Sequence, residues 1–541
     1  MHRKGINDRE ITAADNCRHR SVWRPLLRGI HREHRAAFVP VSIADTNPNV
    51  GSVWGRLIPS WPLITGLAAF TRALARPTAL LNDPDTYLHI AAGHWMLSHL
   101  ALPVHDPFSH SLAGADWVPH EWLAEILLAA SYALAGWSGP TVLTAASFAA
   151  GVALLTRFLL CYLEPFSTLI AVILGAALTL GHLLARPHLL ALPLLVIWSG
   201  VLFAARDTKS GPPLRLLPVM ILWANLHGSF MFGLALTLLL AVEAVLSPGQ
   251  RAIEASRWGR FGLLAIAASL ATPNGLVGFI EPFRLTAMPA LQASFAEWSS
   301  PNFQNFEPLE VWLLGMLTLG FTTGIKLPPS RLALALILCH MALAHVRHAE
   351  LLGFVGPLAA AAGLGPQIAA SIRSAPISTL GRGVARLAVP AAFPAVGLSL
   401  AIAMAISLPL LVRPFERSDD PVTPTSALAA AARMGLTGPV FNSEGFGGYL
   451  IFSGVPTFID GRIELYGDPF LARYLEAENG REPALANLLQ GYGVTWTLLS
   501  PQQGAAQRLD RLAGWRRVYA DPYAVVHMRI IAAPVSPSGS G

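Results

Sequence analysis

Asp83-Pro84-Asp85 and His120-Glu121-Trp122 lie in a stretch, Pro77 to Thr156, that contains no Lys or Arg but six His and six carboxylates. Carboxylates and imidazoles in such density, without local counter-charge, can orient a hydroxyl and take its proton. Counter-charge must then come from elsewhere in the chain. Arg186, followed by Pro187-His188, and Arg347, within His345-Val346-Arg347-His348, are the candidates, because each is an isolated cation beside a His. A guanidinium presents a planar fork of donors that fits two phosphate oxygens at once. The remaining polar clusters are His89, Asp106, Asn225-Leu226-His227, Pro273-Asn274-Gly275 and Glu297-Trp298.

The elements that must position these residues follow from composition. Of 541 residues, 53% are hydrophobic and 13% charged, about half the charge of an ordinary soluble domain. A helix crossing the hydrocarbon core needs about 20 apolar residues, because every backbone amide must be satisfied within the segment. About 11 such segments are expected, near 57–81, 139–160, 166–184, 188–205, 214–228, 230–247, 260–273, 308–324, 330–345, 348–364 and 387–412. With Met1 in the cytoplasm, the inner loops carry twelve cations and the outer loops three, with ten more in residues 1–59. That asymmetry is the positive-inside pattern. It excludes any need for nucleic acid to account for a net charge of +6, since a basic inner face suits an anionic leaflet.

The expected organisation is a basic, largely disordered cytoplasmic segment (1–56), a transmembrane region (57–412) whose first outer loop is 82–138, a soluble extracytoplasmic α/β domain (413–534) and a flexible tail (535–541). Residues 86–99 read as an amphipathic helix lying in the interface, with Asp83 or Asp85 as its cap. In the soluble domain, helices are expected at 425–434, 468–478, 483–490 and 503–512. Strands are expected at 438–442, 448–453, 456–459, 494–500 and 516–529. Cys17, Cys161 and Cys339 have no metal-binding spacing. On this topology all the polar clusters fall on the outer side.

The layout and the run Asp83-Pro84-Asp85-Thr86-Tyr87-Leu88-His89 resemble the GT-C superfamily of polyprenyl-phosphate-sugar-dependent glycosyltransferases. The Asp-Pro pair is similar to the first-loop motif of oligosaccharyltransferase catalytic subunits. The pattern Asp-Pro-Asp, then His, then His-Glu-Trp also resembles a group of bacterial multi-pass membrane proteins. The soluble domain lacks the WWD-type motif of oligosaccharyltransferases and offers instead Phe458-Ile459-Asp460-Gly461-Arg462-Ile463-Glu464-Leu465-Tyr466-Gly467, which is polar enough to face the membrane cavity and reads first as a turn with an internal Asp-Arg pair.

The resemblance implies a bundle of about 11 transmembrane helices in the cytoplasmic membrane of a bacterium, N-terminus inside and soluble domain outside. It implies a polyprenyl-phosphate-linked sugar donor and an extracytoplasmic glycan, lipid or protein acceptor. Asp85 and Asp83 are then the expected catalytic carboxylates. His89, His120, Glu121, Arg186, His188, Asn225, His227, Glu297, Arg347 and His348 are expected to bind substrate. A divalent metal ion is an open cofactor, with Asp83, Asp106, Glu121 and Glu297 as candidate ligands. The competing expectation is a non-catalytic carrier or flippase, or an assembly partner in the export of lipid-linked glycans.

Overall fold

The computed structural model describes residues 54–294, 296–372, 379–413 and 415–530. The expectations for residues 1–53 of the N-terminal segment and for the tail 535–541 lie outside the described residues. The chain is a helical bundle followed by a unit containing one small sheet. The bundle opens with α1 (Trp61–Leu74), a short α2 (Pro77–Leu80) and α3 (Pro84–His99), then α4 (Trp122–Ala135), α5 (Ser138–Leu159), α6 (Pro165–Ala177) and α7 (Pro187–Asp207). It continues with α8 (Leu217–Leu226), α9 (Phe230–Leu246), α10 (Arg251–Ser269), α11 (Gly275–Thr286) and α12 (Pro289–Ser294). The last part holds α13 (Pro308–Thr323), α14 (Pro329–Ala344), α15 (Ala349–Ile372), α16 (Thr379–Arg386) and α17 (Phe393–Val412).

Each of the eleven apolar segments falls on helix. Among the described residues, five helices are long and apolar enough to cross a membrane: Ser138–Leu159, Pro165–His182, Pro187–Asp207, Val346–Ala370 and Phe393–Val412. Shorter apolar helices span Trp122–Ala135, Leu214–Leu226, Phe230–Leu246 and Pro329–Ala344. Small residues let these helices approach closely, which is how packing is gained where lipid is as apolar as the partner helix. At the α6–α15 crossing a Cβ on Gly175 would stand 2.3 Å from the Gly353 carbonyl oxygen, and one on Gly353 2.5 Å from that of Gly175. At the end of the bundle away from Asp85, Glu243 pairs with Arg206 (2.9 Å) and Arg331 (3.1 Å), and Arg331 reaches Asp207 (2.8 Å), tying α7, α9 and α14 together.

The helix expected at 86–99 is α3, with Asp83 as its cap, but it is not an amphipathic element lying in an interface. Thr86, Tyr87, Leu88, His89, Ile90, Ala92, Gly93 and Met96 are buried on several sides of its axis. The reason is that α3 is packed on two sides. A Cβ on Gly93 would meet the Glu125 carbonyl of α4 at 2.0 Å, and a helix of the C-terminal unit lies across its first turn.

That unit comprises α18 (Thr425–Arg433), α19 (Glu444–Phe452), α20 (Ile463–Glu478), α21 (Ala484–Gly491) and α22 (Gly504–Leu509) around β1 (Val440–Asn442), β2 (Trp496–Leu499), β3 (Trp515–Ala520) and β4 (Val525–Arg529). The sheet order is β1-β2-β4-β3, with β1 and β2 parallel and the other pairs antiparallel. Apolar clusters cover both faces of β1 and β2, which is why these strands are buried at every position.

Residues 448–452 of the run expected as a strand belong to α19, and 456–459, also expected as a strand, makes one isolated bridge, Thr457 to Ser109. A short apolar run does not distinguish strand from helix by periodicity. Here Gly447 and Gly448 permit a helix to press on neighbouring backbone: a Cβ at Gly447 would lie 2.4 Å from the Ile459 carbonyl, and one at Gly448 2.0 Å from that of Pro84.

Candidate active site

Asp83 has extended backbone, caps α3 by accepting from the Asp85 N–H at 2.8 Å, and is followed by Pro84 at the first helical position, where a missing N–H costs nothing. Opposite it, Ala185 donates to the Leu80 carbonyl (2.7 Å) and Thr86 Oγ1 to the Ala185 carbonyl (3.2 Å). These bonds seat Arg186, which starts α7, against the first turn of α3.

The Arg186 guanidinium meets three carboxylates. Its Nε lies 2.7 Å from Asp83 Oδ2, Nη2 bonds Asp85 Oδ2, and Nη1 donates to Glu297 Oε2 at 2.9 Å. Glu297, in the turn Ala296–Trp298, turns its other oxygen to Arg347 Nη1 at 3.3 Å. Arg347 stacks on Trp298, with Cζ 4.5 Å from the ring centroid. The Val346 N–H donates to the Ser299 carbonyl (3.0 Å), and His345 Nδ1 lies 2.5 Å from the Trp298 carbonyl. Asp83, Asp85, Arg186, Glu297 and Arg347 thus form one continuous chain of charge drawn from four distant segments.

Electrostatics separates the two acidic ends of that chain. Burial pushes the Asp85 carboxyl up to about 6, against the pull of Arg186 and with the push of Asp83. Burial acts on Glu297 in the same sense, but Arg186 and Arg347 together outweigh it and hold that carboxyl below its ordinary value. Asp85 is therefore poised to exchange a proton near neutral pH.

A second cluster adjoins the first through α3. His89, one turn beyond Asp85, has Nδ1 3.4 Å from Glu125 Oε1 and Nε2 3.9 Å from Glu121 Oε2. Glu121 also faces His120 (3.8 Å) and His227 (3.4 Å). Burial disfavours the charged His89 ring, yet the Glu125 hydrogen bond and the charges of Glu121, Glu125 and Asp85 raise it to about 9. His89 is consequently an imidazolium at neutral pH. It balances buried carboxylates. His188 and His227 lie with ring centroids 6.1 Å apart, and His188 Nε2 is 3.2 Å from the His182 carbonyl. His348 packs edge-on to His345 and Trp298 beside Arg347.

Two expected site residues are used otherwise. Asn225 spends its amide on the Ile221 and Ala271 carbonyls (2.8 and 3.0 Å) and on Trp122 Nε1 (2.8 Å), so it ties α8 to α4 and to the end of α10. Asp106 accepts from the Phe108 N–H (2.9 Å), Ser109 Oγ (2.5 Å) and Arg462 Nη1 (2.6 Å), and is buried in that role. The four candidate metal ligands do not converge. Asp83 and Glu297 share Arg186, Glu121 sits among imidazoles, and Asp106 belongs to Arg462. Among the described residues no three His, Cys, Asp or Glu side chains come together as a metal centre requires.

The C-terminal unit contributes more than its sequence indicated. The Asp460–Arg462 pair forms as expected within the turn, with two 2.7 Å contacts, but it reaches outward to Asp106 and stacks on Phe108 and Trp117. Gly461 abuts Asp85: a Cβ there would stand 2.0 Å from Asp85 Oδ1. Only glycine fits, so this residue type was the available signal. Glu464 accepts from Trp117 Nε1 at 3.4 Å, and burial pushes its carboxyl up to about 7 despite His120. Glu444, which no motif marked, shares its electrostatic surroundings with Asp85 and Arg186.

No family model matches the chain, and no curated protein matches it by sequence. Among solved structures it is similar to the oligosaccharyltransferase of Archaeoglobus fulgidus in the apo form, at 12% identity and a TM-score of 0.43, covering 81% of this chain and 69% of that one. It is similar to the archaeal oligosaccharyltransferase AglB from the same organism in complex with an inhibitory peptide and a dolichol-phosphate, at 13% identity and a TM-score of 0.42, with the same coverage. It is also similar to ArnT from Cupriavidus metallidurans bound to undecaprenyl phosphate, at 14% identity and a TM-score of 0.41, covering 88% of this chain and 98% of that one.

Proposed function

We propose that the chain is a glycosyltransferase that moves a sugar from a polyprenyl-phosphate-linked donor to an extracytoplasmic acceptor. The observation that carries this reading is the joining of Asp85 to Arg347 through Arg186 and Glu297. A carboxyl poised near pH 6 and a partly exposed cation stand in one site.

In the reaction, the acceptor hydroxyl attacks the anomeric carbon as the bond from that carbon to the phosphate oxygen breaks. The acceptor proton passes to the Asp85 carboxylate. The electron pair leaves with the lipid phosphate, whose charge Arg347 stabilises. Arg186 is committed to three carboxylates, so its part is to fix Asp83 and Asp85 and, through Glu297, to hold Arg347 in place. Asp83 keeps the helix start rigid. The donor arrives through the bilayer, and the acceptor comes from the side on which the C-terminal unit lies. That side is outside the cytoplasmic membrane, with the N-terminus inside.

Asp83→Asn and Asp85→Asn variants, checked for insertion and folding, test the reading by an assay of cell-surface glycans and of donor consumption in membranes. Loss of a general base predicts a fall of about 10²- to 10⁴-fold for Asp85→Asn. Unchanged glycans and donor turnover in both variants would remove the catalytic reading and leave a carrier, flippase or assembly partner.

A further inference from the structure

Glu444 opens α19, and residues four apart on a helix share a face. Gly448, one turn on, is pressed against the Pro84 carbonyl. Glu444 therefore lies on the face that α19 turns toward the first turn of α3, where Asp85 is. The Gly461 turn closes the same space, since its missing Cβ would overlap Asp85 Oδ1. Asp85 gives Oδ2 to Arg186 and turns Oδ1 to the C-terminal unit. The backbone of Glu444 is fixed as well: its N–H donates to Tyr474 Oη (3.0 Å), which donates to Glu478 Oε1 (2.6 Å).

The groups facing Glu444 are Asp85 and Arg186 from the bundle, Glu478 and Tyr474 from α20, and Asp460 from the turn. Arg186 is the cation among them, and Asp83, Asp85 and Glu297 already divide it. A further ionised carboxylate here would have no counter-charge. Burial first, then the charges of Asp85 and Glu478, accordingly hold the Glu444 carboxyl well above its ordinary range.

We propose that Glu444 is a positioning residue of the site, a carboxylic acid brought by the C-terminal unit that donates to Asp85 and ties the seating of that unit to the charge state of the site. Its consequence for catalysis rests on the reading of Asp85 as the base. Its geometry does not. When Asp85 is ionised, Glu444 supplies the donor that its free oxygen needs. When Asp85 has taken a proton, that donor is redundant and the grip of the C-terminal unit on α3 weakens.

The test is the melting temperature of the purified full chain in detergent micelles, for wild type, Glu444→Gln, Asp85→Asn and the double variant, across a range of pH. The unfolded Glu444 ionises above about pH 4.3, whereas the folded one holds its proton to higher pH. Folding then takes up a proton, and the wild type loses stability as pH rises through that window. Gln keeps a donor of the same shape and cannot ionise. Glu444→Gln is expected to melt about 2 °C above wild type near pH 8, the gap closing toward pH 4. The gap is expected to shrink in the Asp85→Asn background. A gap independent of pH, or of equal size in both backgrounds, overturns the proposal. Absence of sugar transfer by the wild type together with the coupled melting behaviour overturns the proposed function and leaves this proposal standing.

Discussion

Replacing Arg462 by Met removes the charge that joins the C-terminal unit to the 105–117 loop while keeping the length of the side-chain stem. Arg462 is 3% exposed, and Asp460 and Asp106 are 0% exposed at their side chains. Its guanidinium makes contacts of 2.7 Å and 2.7 Å to Asp460 and 2.6 Å to Asp106. Breaking a buried pair by deleting one partner costs about 3–5 kcal/mol, because the other charge is stranded. Two carboxylates are stranded here, but the losses share one guanidinium and do not simply add. Asp460 keeps Tyr466 Oη (2.7 Å) and Thr457 Oγ1 (3.0 Å), and Asp106 keeps Ser109 Oγ. These remaining donors place the loss near the lower end, about 3 kcal/mol.

The pH dependence gives the stricter check. In the wild type, burial raises the Asp460 carboxyl but Arg462 outweighs it and holds it low. Its contribution to stability is therefore present above the unfolded value near about 3.9 and is lost as pH falls through the folded value. Without Arg462 the burial effect prevails. Asp460 then favours its proton, and stability is lost as pH rises instead. The gap between wild type and Arg462→Met is expected to widen from about pH 4 to pH 7, read by thermal unfolding in micelles. A variant that melts with the wild type at neutral pH, or a gap that ignores pH, refutes the reasoning.

Gly461→Ala places a methyl 2.0 Å from Asp85 Oδ1; it is expected to displace the C-terminal unit from α3 and to lower sugar transfer more than it lowers the melting temperature, measured on the same preparation. The acid limb of the rate is expected near pH 6, rising with pH as Asp85 loses its proton. Arg186→Met removes a group that lowers the Asp85 carboxyl, so it should move that limb to higher pH, whereas Arg186→Lys should leave it close to the wild-type position.

Several of the residues that meet around Arg186 stand out in the sequence. Arg186 and Arg347 stood out because cations are scarce on their side of the expected topology, and Asp83 because an Asp before Pro suits a helix start. What could not be read was partnership. Asp106 and Asn225 have residue types suited to a site, but their atoms are consumed by Arg462 and by Trp122, which lie far away in the chain. The helix at 444–452 was misread because Gly447 and Gly448 resemble strand punctuation. Their cause is the backbone of Ile459 and Pro84, which a linear pattern does not contain. The α3 helix gave the same kind of error: its apolar positions read as one interfacial face, whereas α4 and α19, which cover it on two sides, lie outside the local pattern.

The contact between Gly461 and Asp85 also orders the birth of the molecule. The segments that carry Asp83, Asp85 and Asp106 are synthesised long before residues 460–462, and domains form from the N-terminus as the chain emerges. Until then Asp106 has no cation, and the Asp85 edge has no cover. A chain stopped anywhere before Asp460 would hold its apolar helices and an open acidic notch. The last quarter of the sequence thus acts as a completion signal, converting a bundle that can already stand in a membrane into one whose charged centre is closed.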